Sequence, residues 1–234
     1  VILKDVTARY TPSEAWFYDR FIAGAVLATV SGLIDRLVAG VPADGSVLEV
    51  GSGGGRFALR LAERGAGLHV TGVDLSAGQV ARAARRARAG TVAGRVGFQV
   101  GSALETAFPD EHFHAVVSIG SIKHWPDRDK GMAEMARVLR PGGLLLVAEV
   151  DRGCALADAR AFVARLGLPR PLAEPALWGF RTYIAGQGLD LDEGRALVAG
   201  LPLVRAGAER LPGTPLLTIS GVRRAAPDDA AGVR

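Results

Sequence analysis

A single cysteine, Cys154, in 234 residues excludes an internal disulfide framework and fits a reducing compartment. No apolar run approaches the roughly 18 residues of a membrane-spanning helix, so no span is expected. No secretory leader is read in the sequence, and these absences together give a cytoplasmic expectation. Aromatic residues make up only 6% of the chain, and none interleaves with the arginines of its most basic segment. A single-strand nucleic-acid surface wants stacking rings between its cations. The net charge of +4 still raises the question, because Arg82, Arg85, Arg86 and Arg88 fall on one expected helix. The solvated face of a surface helix accounts for them better, and nucleic acid is the lesser reading. His69 and His112 have no metal-ligand spacing with other residues, so no metal is expected.

What is present is an alternation of short apolar strands and amphipathic helices, without an internal repeat. The length suits one domain over residues 1–234. Thr11-Pro12-Ser13-Glu14 reads as a helix start. Apolar residues then recur at helical spacing from Trp16 to Val38, giving N-terminal helices within 1–40, broken near Gly24. From residue 46 the pattern predicts strands at 46–51, 68–73, 95–100, 113–119 and 144–150. Helices are predicted between them at 55–64, 77–89 and 127–139. This is the βαβ pattern of a doubly wound, mainly parallel sheet. The alternation stops at Val150. Residues 151–200 hold only helical patterns, expected to cap the sheet edge and to build a substrate pocket. Two further strands, 203–209 and 216–222, are joined by a tight turn, which makes them antiparallel. That completes a seven-stranded α/β sheet, and the tail 225–234 is expected to be flexible.

The most informative stretch is Val47-Leu48-Glu49-Val50-Gly51-Ser52-Gly53-Gly54-Gly55-Arg56, a strand running through a glycine turn into a helix. Such a turn lets backbone approach a ligand, and the helix behind it offers unpaired N–H groups. A dinucleotide fingerprint needs G-x-G-x-x-G, but its sixth position is Arg56. A phosphate-binding loop needs Lys followed by Ser or Thr, which is missing.

With Val70-Thr71-Gly72-Val73-Asp74-Leu75-Ser76 and Arg137-Val138-Leu139-Arg140-Pro141-Gly142-Gly143 added, the sequence resembles the class I S-adenosylmethionine-dependent methyltransferases. It is similar to their small-molecule branch, which includes the ubiquinone/menaquinone-biosynthesis type. The resemblance covers roughly residues 44–150. It implies a Rossmann-like fold that takes S-adenosyl-L-methionine as cofactor and releases S-adenosyl-L-homocysteine.

The resemblance implies that Asp74 accepts from the ribose hydroxyls, although a helix-capping role also fits it. Leu75 would flank the adenine. Glu49 would orient the turn and the methionine end, or serve as a plain strand-end acid. Gly51, Ser52, Gly53 and Gly55 would carry the close approach, or form a structural turn. Many relatives have Gly-Asp-Ala after the third strand, whereas this chain has Gly101-Ser102-Ala103. Ser102 or a water must then meet the adenine amino group, with Ala103 beside it. Strand four opens Phe113-His114 where relatives have Phe-Asp, a mostly structural position. In the family the segment Ser118 to Pro126 passes the transferable methyl, and Ser118 is expected at the cofactor.

His124 could accept a proton from the methyl acceptor or merely shape the pocket. Trp125 could face the substrate or the core, and Lys123 is expected to be solvated. Tyr10 and Tyr18 stand where relatives place a lid over the cofactor, with helix packing as the simpler role. In 151–200, Phe162, Trp178, Phe180 and Tyr183 suit the walls of a hydrophobic or aromatic acceptor's pocket, or the cap's own core. Three functions stay open: methylation of a small molecule by a monomer or homodimer, methylation of RNA or protein, and non-catalytic cofactor binding.

Overall fold

The computed structural model describes residues 21–225. The expectations on 1–20, including Tyr10 and Tyr18, and on the tail from 226 lie outside the described residues. Two helices, α1 (Ala23–Thr29) and α2 (Ser31–Gly40), precede the sheet and meet at 54°. Among the described residues a break falls at Val30, and α1 itself starts at Ala23, beside the expected break near Gly24. Thr29 Oγ1 donates to the Ala25 carbonyl at 2.7 Å and Ser31 Oγ to the Ala28 carbonyl at 3.0 Å. Hydroxyls that bond back onto the preceding turn bend helices, whereas Gly24 sits inside α1 without strain. No single helix among the described residues is long and apolar enough to cross a membrane.

The sheet then assembles from β1 (Ser46–Val50), β2 (His69–Asp74), β3 (Val96–Val100), β4 (Phe113–Ile119), β5 (Leu139–Val150), β6 (Leu203–Arg210) and β7 (Leu216–Arg223). Their order is β3-β2-β1-β4-β5-β7-β6, with β7 antiparallel to both neighbours. The helices α3 (Arg56–Arg64), α4 (Ala77–Ala89) and α5 (Arg128–Arg137) make the crossovers. β5 begins earlier than the sequence predicts. Leu139 already pairs with Phe113, and the register shifts across Pro141-Gly142-Gly143 before Leu144 pairs with Ala115. The Pro-Gly-Gly turn is therefore a bulge within the strand, with Gly142 at φ +76°.

Strand alternation sorts the core into two faces. Val47, Ala115, Val117, Leu146 and Ala148 pack on one side with Leu33 and Leu37 of α2 and Leu61 of α3. Leu48, Val116, Leu145 and Val147 pack on the other with Met132 and Met135 of α5.

After Val150 the chain leaves the sheet through α6 (Leu156–Ala164), α7 (Arg170–Gly179) and a π-helical turn, Phe180–Ile184. Its Phe162, Leu177 and Phe180 join the first face of the core. The cap is narrower than 151–200, because α8 (Leu191–Ala199) packs on the sheet instead. An Asp190–Glu193 capping box starts α8, and Gly194 lets it lie close to Ala208 and Ile219. The two ends of the cap are fastened together. Leu189 N–H donates to the Val150 carbonyl at 3.0 Å, and Arg152 N–H to the Leu189 carbonyl at 2.8 Å. A Cβ on Gly188 would lie 2.2 Å from the Val150 oxygen, so glycine is required at that neck.

Candidate active site

The carboxyl ends of β1, β2 and β4 open into one cavity of about 960 Å³, roofed by α1 and the cap. This is where ligands lie against doubly wound sheets, at the point where strand order reverses. Gly51, Gly53 and Gly55 all have positive φ, +76°, +50° and +76°. The turn is tied to the next strand by Gly51 and Ser52 N–H groups, which both donate to the Val73 carbonyl. A Cβ on Gly51 would stand 1.9 Å from Ser121 Oγ, whereas nothing lies within 4 Å of that point on Gly53. The backbone at Gly53 thus faces open space in the cavity. Gly55 does not line the cavity. Its missing Cβ makes room for the Phe98 ring and Ala83, so its role is the structural turn.

Asp74 and Glu49 complete this wall. Asp74 Oδ2 accepts from Gly53 N–H at 2.8 Å and Oδ1 from Ser76 N–H at 2.9 Å. Each oxygen keeps a further lone pair for a ligand hydroxyl. Burial raises the Asp74 pKa, against the pull of those two N–H groups. Helix α4 is capped by Ser76, not by Asp74. Glu49 is buried, and its Oε2 accepts from Ala58 N–H at 3.1 Å. It therefore serves α3, whose first residue follows a glycine without a capping side chain. Burial pushes the Glu49 pKa well up.

Ser52, Leu75, Ser102 and Ala103 also line the cavity, with Leu75 exposed at its mouth. Ser102 Oγ already accepts from Leu104 N–H at 3.1 Å, which leaves one lone pair and its own O–H for a ligand. Sequence reasoning missed Gln79. Its Oε1 and Ser52 Oγ are buried at the cavity wall without a hydrogen-bond partner among the described residues. The available signal was its place five residues past Asp74, on the first turn of α4.

Ser118 is a correction. It shares the opposite sheet face with Val116, because residues alternate along β4, and it is fully buried. Ile119 lines the cavity in its place. Trp178 is a second correction. It is 72% exposed on the outer side of α7, while the adjacent Leu177 turns inward. Tyr183, Phe162 and Phe180 do line the cavity, with Ile22, Val26 and Val30 of α1 opposite. Trp125 is both core and wall. Its ring covers Gly131, its Nε1 donates to Ser121 Oγ at 3.1 Å, and part of it faces the cavity.

His124 lines the same cavity. Burial and the neighbouring Lys123 cation lower its pKa to about 4, against the opposing pull of Glu149. The imidazole is therefore neutral at pH 7. Lys123 is not solvated as the sequence suggests. Its Nζ meets Glu149 Oε1 at 2.9 Å and the Gly120 carbonyl at 2.5 Å. None of Arg82, Arg85, Arg86 and Arg88 lines the cavity, and Arg86 donates to the Gly54 carbonyl at 2.7 Å.

Residues 47–143 match the family described as a methyltransferase domain. The chain is 40% identical over 119 residues to 27-O-demethylrifamycin SV methyltransferase of Amycolatopsis mediterranei, covering 50% of this chain and 43% of that protein. It is 34% identical over 107 residues to the ubiquinone/menaquinone biosynthesis C-methyltransferase of Geotalea daltonii, 45% of this chain and 46% of that one. The chain thus spans less than half the length of these relatives. A solved S-adenosylmethionine-dependent methyltransferase from Aquifex aeolicus superposes with a TM-score of 0.66 at 14% identity, covering 92% of this chain and 99% of that one. At that identity the likeness speaks for the fold.

Proposed function

We propose, from the match of residues 47–143 to a methyltransferase domain, that this chain is a class I S-adenosylmethionine-dependent enzyme that methylates a small, largely apolar acceptor. The whole chain acts as one catalytic unit in this reading. The observation that carries it is the shared cavity. One wall is a polar cradle of Gly53, Asp74, Ser52 and Gln79, and the other is the apolar surface of Val26, Phe162, Phe180 and Tyr183.

The cradle fits S-adenosylmethionine. Asp74 has lone pairs for ribose hydroxyls, Leu75 offers an apolar face for a purine, and the unpartnered Ser52 and Gln79 oxygens await polar ligand atoms. Glu49, with one oxygen still unengaged, would receive the methionine end. The cofactor supplies an already activated sulfonium methyl. The protein's part is then to hold the acceptor in line, and orientation of this kind is worth about 7–11 kcal/mol in favourable cases. His124 is neutral and able to accept a proton from the acceptor. So weak a base suits a phenolic or enolic hydroxyl better than an aliphatic alcohol. The relatives named as a 27-O-demethylrifamycin SV methyltransferase and a ubiquinone/menaquinone biosynthesis C-methyltransferase support a small-molecule acceptor.

Incubation with methyl-labelled S-adenosylmethionine and fractionated extract of its own source tests this reading. A labelled small molecule is the expected product. Saturable cofactor binding with no labelled product, or label found only in RNA or protein, overturns it. His124→Ala should lower turnover by roughly 10²-fold or more with cofactor affinity kept. Turnover within a few-fold of wild type would remove His124 as the base.

A further inference from the structure

An acid at the end of the otherwise aliphatic run Leu144-Leu145-Leu146-Val147-Ala148-Glu149-Val150 has no part in the function so far. Glu149 is fully buried, on the sheet face away from the cavity. Its two oxygens take different parts of one residue. Oε1 meets Lys123 Nζ at 2.9 Å, and Oε2 accepts from Lys123 backbone N–H at 3.3 Å. Lys123 Nζ also donates to the Gly120 carbonyl at 2.5 Å, closing a ring across the loop that follows β4. The far side of that loop presses on the donor cradle, because Ser121 Oγ fills the space a Gly51 side chain would need. Its next residue, His124, faces the cavity. One carboxylate on β5 therefore fixes a loop that touches the glycine turn at one end and the acceptor space at the other.

We propose that Glu149, acting through Lys123, is a positioning residue for methyl transfer, clamping the Gly120–Trp125 loop so that His124 and the glycine turn keep one relative placement. The proposal rests on the methyl-transfer reading above. Its logic is that of a buried ion pair. Loss of one partner strands the other charge, whereas loss of both leaves an apolar site that folds well. A clamp lost in either way frees the loop.

Glu149→Gln, Lys123→Met and the double variant Glu149→Leu/Lys123→Met test this in the full chain. The readouts are thermal melting, S-adenosylhomocysteine affinity by calorimetry, and transfer of label into the extract fraction that wild type labels. The His124 ring signal is also followed by NMR across pH, where it is one of four histidines.

Each single variant should lower label transfer by at least about tenfold, with S-adenosylhomocysteine affinity within about threefold, because orientation and not donor binding is lost. The His124 titration should move up in Lys123→Met and down in Glu149→Gln, because the first removes a cation and the second an anion beside the ring. These shifts report the charges, and the loss of transfer at kept affinity reports the clamp. The double variant should melt near wild type, titrate near wild type and still transfer at least about tenfold more slowly. Two results overturn the clamp: a double variant that transfers within about threefold of wild type, or single variants whose lost transfer is matched by an equal loss of S-adenosylhomocysteine affinity. If wild type labels nothing, the methyl-transfer reading fails by itself, and the clamp is judged on the His124 ring signal. A signal sharp in wild type and exchange-broadened in the double variant supports a freed loop, and equally sharp signals overturn it.

Discussion

The two walls of the cavity are built from different materials. The wall proposed for the donor is placed by backbone: positive-φ glycines, N–H groups tied to Val73 and Asp74, and strand ends that carry the polar side chains Ser52, Asp74 and Gln79 to the cavity. The acceptor wall is side chain: Val26 and Val30 of α1, and Phe162, Phe180 and Tyr183 of the cap. A backbone wall tolerates little change, because a Cβ at Gly51 has no space to enter. A side-chain wall can change shape one residue at a time while the sheet beneath it stays whole. In the proposed reading the contrast makes donor and acceptor recognition separable, with the Gly120–Trp125 loop reaching both walls.

Substitutions on each wall can break that separation. Gly51→Val should have the largest effect, a loss of roughly 100-fold or more in S-adenosylhomocysteine affinity by calorimetry, since it combines a strained φ with a collision at Ser121. Asp74→Asn should come next, at roughly tenfold. An amide cannot accept from both Gly53 and Ser76 with the strength of a carboxylate.

Across the cavity, Tyr183→Ala should raise the acceptor KM a few-fold and leave the donor KM unchanged. Equal changes in both constants would end the idea of separate walls. His124, on the seam, gives a pH test. Its folded pKa of about 4 lies below the usual value near 6.5. Its stabilising contribution is therefore complete above pH 6.5 and is lost as pH falls toward 4. Melting temperatures measured over that range should fall less steeply for His124→Gln.

The smallest effect belongs to a residue on neither wall. His114 Nδ1 accepts from Ser46 N–H at 3.0 Å while Arg140 approaches Nε2 at 3.1 Å. A neutral ring carries a proton on one nitrogen and cannot accept at both. His114→Asp would accept from Ser46 and pair with Arg140, for a gain of about 0.5–1 kcal/mol in chemical denaturation and no change in either KM.

How much of this was legible in the sequence follows the same division. The places of Glu49, Gly51, Ser52, Gly53 and Asp74 at the cavity could be read because they are local, fixed by φ and by the end of a strand. That Gly55 and Ser118 lie off the cavity could be read only by knowing which way each residue faces. For Ser118 the signal was available, since it alternates with Val117 and Ile119, both of which belong to the cavity side of the core. Trp178 and Leu177 could not be separated in advance, because adjacent helical residues point about 100° apart and the cap's inner side depends on distant partners. Lys123 was misread for a similar reason. Its partner Glu149 lies on another strand, and only the sheet order brings them together.

The fastened neck at Val150, Arg152 and Leu189 has a bearing on how such a chain can diversify. Because the two ends of the cap already sit side by side, lengthening or shortening the segment between them leaves the sheet register alone. Each doubling of a flexible connection costs only about 0.6 kcal/mol in closure entropy. A lineage could thus exchange the whole segment, roof and all, as a cartridge set into an unchanged socket, and acquire a new acceptor without refounding the donor chemistry.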